Sequence, residues 1–90
     1  MALRILSSPS APQELADEMR KAIAGALPDA QLVEVRPNSP GHYEIRVVSA
    51  AFAGQSRVRQ QQLVYGAIAH FMQGNDAPVH AIDRLLTETP

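Results

Sequence analysis

The 90-residue chain predicts an α+β domain: a three-stranded sheet with helices packed on one face. Three observations carry that prediction. Between Leu15 and Ala26, apolar side chains recur every three or four positions, the period of a helix; from His42 to Val48 they alternate with polar ones, the period of a strand. A second, longer helical pattern from Arg57 to Gln73 then separates that strand from a last apolar stretch, Val79 to Leu86. With a short strand at Gln31–Val35 and a short helical turn after Ser49, the order is αββααβ.

Each element has a local reason. Residues 1–9, leading into a Ser-Ser-Pro-Ser cluster, read as a flexible lead-in, and 10–90 as a single small domain. Ser10 followed by Gln13 fits a capping box, which satisfies two orphan N–H groups at a helix start. Leu15, Met19, Ala22, Ile23 and Ala26 then share one face, and Gly25 and Pro28 bracket the helix end. Gln31–Val35 is short and β-branched. The run Arg36-Pro37-Asn38-Ser39-Pro40-Gly41 is made of turn formers, so it joins two strands as a hairpin. In the next strand Tyr43, Ile45 and Val47 face one side and His42, Glu44 and Arg46 the other, the pattern of a half-buried antiparallel strand.

Phe52, the large apolar side chain between Ser49 and Gly54, is expected to plug the space between sheet and helix. Gly54 is expected to hold a backbone angle other residues resist. Ser56 reads as the cap of the long helix. A 100° step places Val58, Val64, Tyr65, Ile68, Ala69, Phe71 and Met72 on one arc, with Arg59, Gln62, His70 and Gln73 opposite. Gly74-Asn75-Asp76-Ala77-Pro78 ends the pattern. Asp83 and Arg84 interrupt the apolar run of the last strand, which places it at a sheet edge.

Composition narrows the function classes. Two Phe, two Tyr and no Trp leave a core of aliphatic side chains. The formal net charge of −1 lacks the basic excess of a dedicated nucleic-acid binder. With no cysteine, disulfides, cysteine nucleophiles and all-cysteine metal sites are excluded. No apolar run reaches the ~18 residues of a membrane span, and the first apolar stretch is too short for the core of a signal peptide. A cytoplasmic protein without a membrane role is the expectation.

Among chemistry-bearing residues, His42, His70 and His80 are the side chains whose ordinary titration lies near neutrality. His70 falls on the polar back of the long helix and reads as a solvated residue. His42 and His80 both follow loops and stand at loop mouths. Spacing alone makes a solvated histidine the commoner outcome at each, and two imidazoles are a weak metal site where zinc takes three or four protein ligands. Arg57 and Arg59, with Arg46, make a thin basic group at a helix start, where phosphate is attracted. Neither a Gly-x-x-Gly loop nor a row of stacking aromatics accompanies them.

Taken together, Gly41-His42-Tyr43-Glu44-Ile45-Arg46-Val47, Phe52-Ala53-Gly54, Ser56-Arg57-Val58-Arg59-Gln60-Gln61-Gln62, Val64-Tyr65-Gly66, Val79-His80-Ala81-Ile82 and, more loosely, Thr89-Pro90 resemble the BolA family. The Ser-Arg-Val and Gln-Gln elements resemble its IbaG-like (YrbA) branch. The resemblance implies an αββααβ domain similar to a class II KH fold and a non-enzymatic adaptor. It implies partnership with a monothiol glutaredoxin of the Cys-Gly-Phe-Ser type in a complex sharing a [2Fe–2S] cluster, with roles in iron–sulfur trafficking or iron and acid-stress regulation. By the same resemblance His80 is an iron ligand and His42 the second candidate. A cysteine-free chain cannot easily hold such a cluster alone, but imidazole can replace thiolate on one iron when a partner and glutathione supply the sulfur. The isolated chain is then expected to carry no cofactor and to be a monomer or weak homodimer. The rival expectation is a KH-like transcriptional regulator that binds nucleic acid through Arg57, Arg59 and Arg46.

Overall fold

The computed structural model describes residues 11–90, so the lead-in 1–9 and the expected cap Ser10 lie outside the described residues. Helix α1 spans Pro12–Ala26, with Ala11 at its N-cap, proline in its first turn and no side-chain cap bond. Proline suits that position because its missing N–H would have no helical partner there. Leu15, Ala16, Met19 and Ile23 are buried, while Ala26 is exposed. The buried stripe therefore runs through Ala16 instead of Ala26. The ladder closes with the Leu27 N–H donating to the Ile23 carbonyl at 2.9 Å, one residue before Pro28.

Strands β1 (Ala30–Pro37) and β2 (His42–Ser49) pair antiparallel across the loop 38–41, and β3 (Ala81–Glu88) pairs parallel to β2 on its other side. The sheet order β1-β2-β3 makes β2 central and β3 an edge, as expected. A parallel pair needs a crossover, which helix α2 (Arg57–Ile68) supplies. In β2 the alternation is kept: Tyr43, Ile45 and Val47 are buried beneath the helices. Both helices lie on that face, α1 against β1 and α2 against β3. Phe52, in a 3₁₀ turn at Ala50–Phe52, is fully buried and joins the core, and Gly54 has the expected positive φ of 77°.

Helix α2 departs from its predicted face. It stops at Ile68 and gives way to a 3₁₀ turn at Ala69–Phe71. Val64 and Ile68 are buried, but Val58 is 63% exposed, Tyr65 38% exposed and Ala69 exposed. The inward stripe is Gln60, Leu63, Val64, Ala67, Ile68 and Phe71. Its first member is polar, and its bonds explain the rotation. Gln60 Nε2 donates to the carbonyls of Gln55 at 3.0 Å and Phe52 at 3.3 Å, while its Oε1 accepts from Thr87 Oγ1 at 2.7 Å. With Gln60 turned in to join the Phe52 turn to β3, Val58 can only point out.

The last strand also differs from its predicted span, starting at Ala81 rather than Val79. Val79 is buried just before it. Register runs His42↔Ala81 and Tyr43↔Ile82, then jumps to Glu44↔Arg84. Asp83 is thus an extra residue, a β-bulge, in a parallel pair where bulges are rare. Its carboxylate accepts from Asn38 Nδ2 at 3.1 Å and lies 2.9 Å from His42 Nδ1, tying the hairpin loop, β2 and β3 together. These bonds, the His42 one foremost, hold the Asp83 carboxyl below its ordinary value. No helix among the described residues is long and apolar enough to cross a membrane.

Gln60→Ala should cost about 1–3 kcal/mol in denaturant unfolding, because it strands partly buried partners. Gln62→Ala, on the exposed side of the same helix, should stay within about 0.5 kcal/mol. A double cycle of Gln60→Ala with Thr87→Val should show coupling of at least about 0.5 kcal/mol, and strict additivity would remove Gln60 from this role. Acid provides a second check. Because Asp83 titrates lower when folded, it adds stability above the ordinary carboxyl value of 3.8 and loses it as pH falls through the depressed folded value. The thermal midpoint of Asp83→Ala should therefore lie below that of the unsubstituted chain at neutral pH, with the gap closing in acid. A gap that does not change with pH would mean the carboxylate charge is not what secures the bulge.

Candidate functional site

The hairpin loop and the start of β3 meet at one backbone group. The Gly41 carbonyl accepts from the His80 N–H at 2.8 Å and the Ala81 N–H at 3.2 Å. Within the loop, Asn38 N–H donates to the His42 carbonyl and His42 N–H to the Ser39 carbonyl, each at 2.8 Å. Gly41 closes this turn with φ of +80°, a region that L side chains resist. A Cβ on Gly41 would run into the His80 ring, so glycine is required twice, by its backbone angle and by its neighbour.

His80 is exposed and precedes β3 by one residue. It lines an open groove of about 400 Å³ with Gly41, Tyr43, Asp76 and Pro78, a volume in the range of small-ligand clefts. His42 starts β2 and pairs in register with Ala81, so the two histidines are backbone neighbours at the same sheet end. Their side chains diverge. Tyr43 faces the helices, which by strand alternation puts His42 on the uncovered face, where it meets Asp83. His80 opens on the Tyr43 side. Among the described residues no group of three or more His, Asp or Glu side chains converges as a metal cage.

This donor set fits a shared cluster only in part. His80 presents an exposed imidazole, and His42 offers the ring nitrogen not turned to Asp83. Neither is a thiolate, and the chain has no cysteine to supply one. Any iron–sulfur group held here needs sulfur ligands from another molecule.

The arginines differ in their surroundings. Arg46 lies on the uncovered face, donating to Glu88 Oε1 from Nε at 3.1 Å and from Nη2 at 2.9 Å. Arg57 and Arg59 are exposed at the α2 start, where Ser56 Oγ accepts the Arg59 N–H at 3.1 Å. Glu88, which holds Arg46, also lines the hollow that contains Arg57. On the uncovered face Arg36 pairs with Glu44 at 3.6 Å. Arg46 and Arg36 are thus each matched by a carboxylate.

Two residues of this site were missed by sequence reasoning. Gly41 was read only as a turn former, and nothing in one sequence reveals that a ring rests on it. Asp83 did leave a signal: Ile82 and Leu85 are three residues apart in a strand of period two, the spacing that one extra residue produces.

Comparison with known proteins agrees with this fold. No curated protein matches the chain by sequence. Among solved structures, a bol-like protein from Babesia bovis superposes with a TM-score of 0.70 at 27% identity, over 83% of this chain and 84% of that one. A bolA protein homologue from Coxiella burnetii gives 0.64 at 27% identity, over 82% and 88%. BolA1 from Arabidopsis thaliana gives 0.68 at 22% identity, over 83% and 90%. The family model described as BolA-like protein matches residues 15–90, which takes in all three strands, helix α2 and helix α1 from Leu15 onward, and the chain belongs to that family.

Proposed function

We propose that the chain is a non-enzymatic adaptor of the IbaG-like branch that completes a [2Fe–2S] cluster shared with a monothiol glutaredoxin and glutathione. In this role it serves iron–sulfur trafficking or iron and acid-stress regulation. The observation that carries the reading is His80: an exposed imidazole, fixed by its own backbone N–H to Gly41 and standing beside an open groove, in a chain with no cysteine. A ligand held on a rigid backbone anchor needs little reorganisation when a partner brings the metal. His80 is the principal ligand and His42 the second. The groove next to His80 has room for a small sulfur-bearing molecule such as glutathione.

The arginines support no second reading: Arg46 is already paired with Glu88, and Arg57 and Arg59 are exposed at a helix start without stacking aromatics beside them in the sequence. A reading as a cysteine-dependent enzyme has no cysteine to use, and Ser56 is occupied as a helix cap.

Mixing the chain with a monothiol glutaredoxin, glutathione, iron and sulfide should produce a visible circular dichroism spectrum distinct from that of the glutaredoxin alone. His80→Ala should abolish that difference and His42→Ala should alter it. A mixed-complex spectrum unmoved by both substitutions would refute the ligand assignment. Gly41→Ala gives an independent check, because it removes no ligand yet forces the His80 ring aside. It should weaken the complex nearly as much as His80→Ala, and it should cost about 1–2 kcal/mol of stability for the left-handed backbone alone.

A further inference from the structure

The contact between His42 and Asp83 lies outside the core, on the sheet face that no helix covers, and it is made by the residue that the bulge inserts. Without the extra residue, strand alternation would turn the side chain after Ile82 out beside Glu44 and leave His42 without a carboxylate. With it, Asp83 and Arg84 follow one another before Leu85 returns to the helix side, and the Asp83 carboxylate reaches back to the first residue of β2. Its two oxygens are divided. Oδ2 accepts from Asn38 Nδ2 at 3.1 Å, which anchors the carboxylate to the hairpin loop and leaves Oδ1 for His42 Nδ1 at 2.9 Å.

A carboxylate can only accept, so the proton of this bond must sit on Nδ1. We infer that Asp83 is a positioning residue for His42: it holds the neutral imidazole as the Nδ1–H tautomer and leaves Nε2 as its metal-binding nitrogen. The pair has the form of the carboxylate–histidine arrangements that orient metal-bound imidazoles and raise their basicity. Both side chains are 40% exposed, so the ring is oriented yet reachable from solvent. That Nε2 meets iron rests on the proposed function; the tautomer does not.

The test has two arms that fail separately. In the cluster-free chain, long-range proton–nitrogen NMR at a pH where His42 is neutral should report mainly Nδ1–H. Asp83→Ala should move the ring toward Nε2–H, and Asp83→Asn, which keeps an acceptor oxygen, should restore Nδ1–H. A ring mainly Nε2–H in the unsubstituted chain, or a tautomer ratio unchanged by Asp83→Ala, would overturn the inference. Far-UV circular dichroism of both variants establishes that the sheet is intact. In the mixed glutaredoxin complex, Asp83→Ala should speed chelator-driven loss of the cluster about ten- to a hundredfold, as loss of such outer partners does. If His42→Ala speeds that loss and Asp83→Ala does not, the positioning role is overturned while the ligand reading stands. If neither does but the tautomer shifts as described, Asp83 still positions the ring, and it is the ligand role of His42 that falls.

Discussion

The carbonyl of Gly41 is the constraint on which the site depends. It accepts two successive N–H groups, from His80 and Ala81, at the point where the chain returns from the helical layer to the sheet. That junction sets the first parallel pair, His42↔Ala81, and so fixes what each later residue of β3 faces. It also explains why the turn ends in glycine. The left-handed angle is open to few other residues, and the space a Cβ would fill is occupied by an imidazole. One residue thus ends the hairpin turn, and its carbonyl starts the edge strand and anchors the proposed ligand.

The bulge at Asp83 resolves a conflict between two demands on β3. The edge strand must bury Ile82, Leu85 and Thr87 toward the helices, yet its start is held to Gly41 and its end to Gln60 through Thr87. An uninterrupted period of two from Ile82 would put position 84 inward and Leu85 outward. One extra residue shifts the phase, so Leu85 and Thr87 fall opposite Ile45 and Val47 on the core side. The displaced residue then tends to be one that tolerates solvent, and a short acid within reach of Asn38 and His42 serves. Exposed ion pairs contribute little each, about 0–1 kcal/mol, so packing sets the register and the polar contacts follow it.

Most of the fold was legible because backbone periodicity and apolar patterning agree. Tyr43, Ile45 and Val47 alternate inward as their spacing requires, and Phe52 fills the gap left for one large side chain. Legibility failed where a polar residue is buried. Gln60 looks like a surface glutamine beside Gln61 and Gln62, and only tertiary partners some 8 and 27 positions away show that it faces in. Averaging hydrophobicity over the helix consequently assigned Val58 and Tyr65 to the core, when they are exposed. At the candidate site both histidines were identifiable, but their relation was not. That relation depends on Gly41, whose contact is 39 positions from it in the chain, at His80.

The opposed directions of His42 and His80 constrain any partner. They share a backbone junction, but His80 opens beside the helical layer and His42 onto the uncovered sheet face. A partner that approaches over the groove meets His80 first, whereas one that uses both must bridge the sheet end around the hairpin loop. The loop is tied at both sides, by Gly41 to β3 and by Asn38 to Asp83, so it offers a rigid edge to bridge. Rigidity there lowers the ordering cost of assembly. It also makes the two histidines unequal: His80 is held by backbone bonds that no side-chain substitution removes, and His42 by a carboxylate that a single substitution deletes. Within the proposed function, the stable half of the site is therefore the groove side, and the adjustable half lies with Asp83 on the open face.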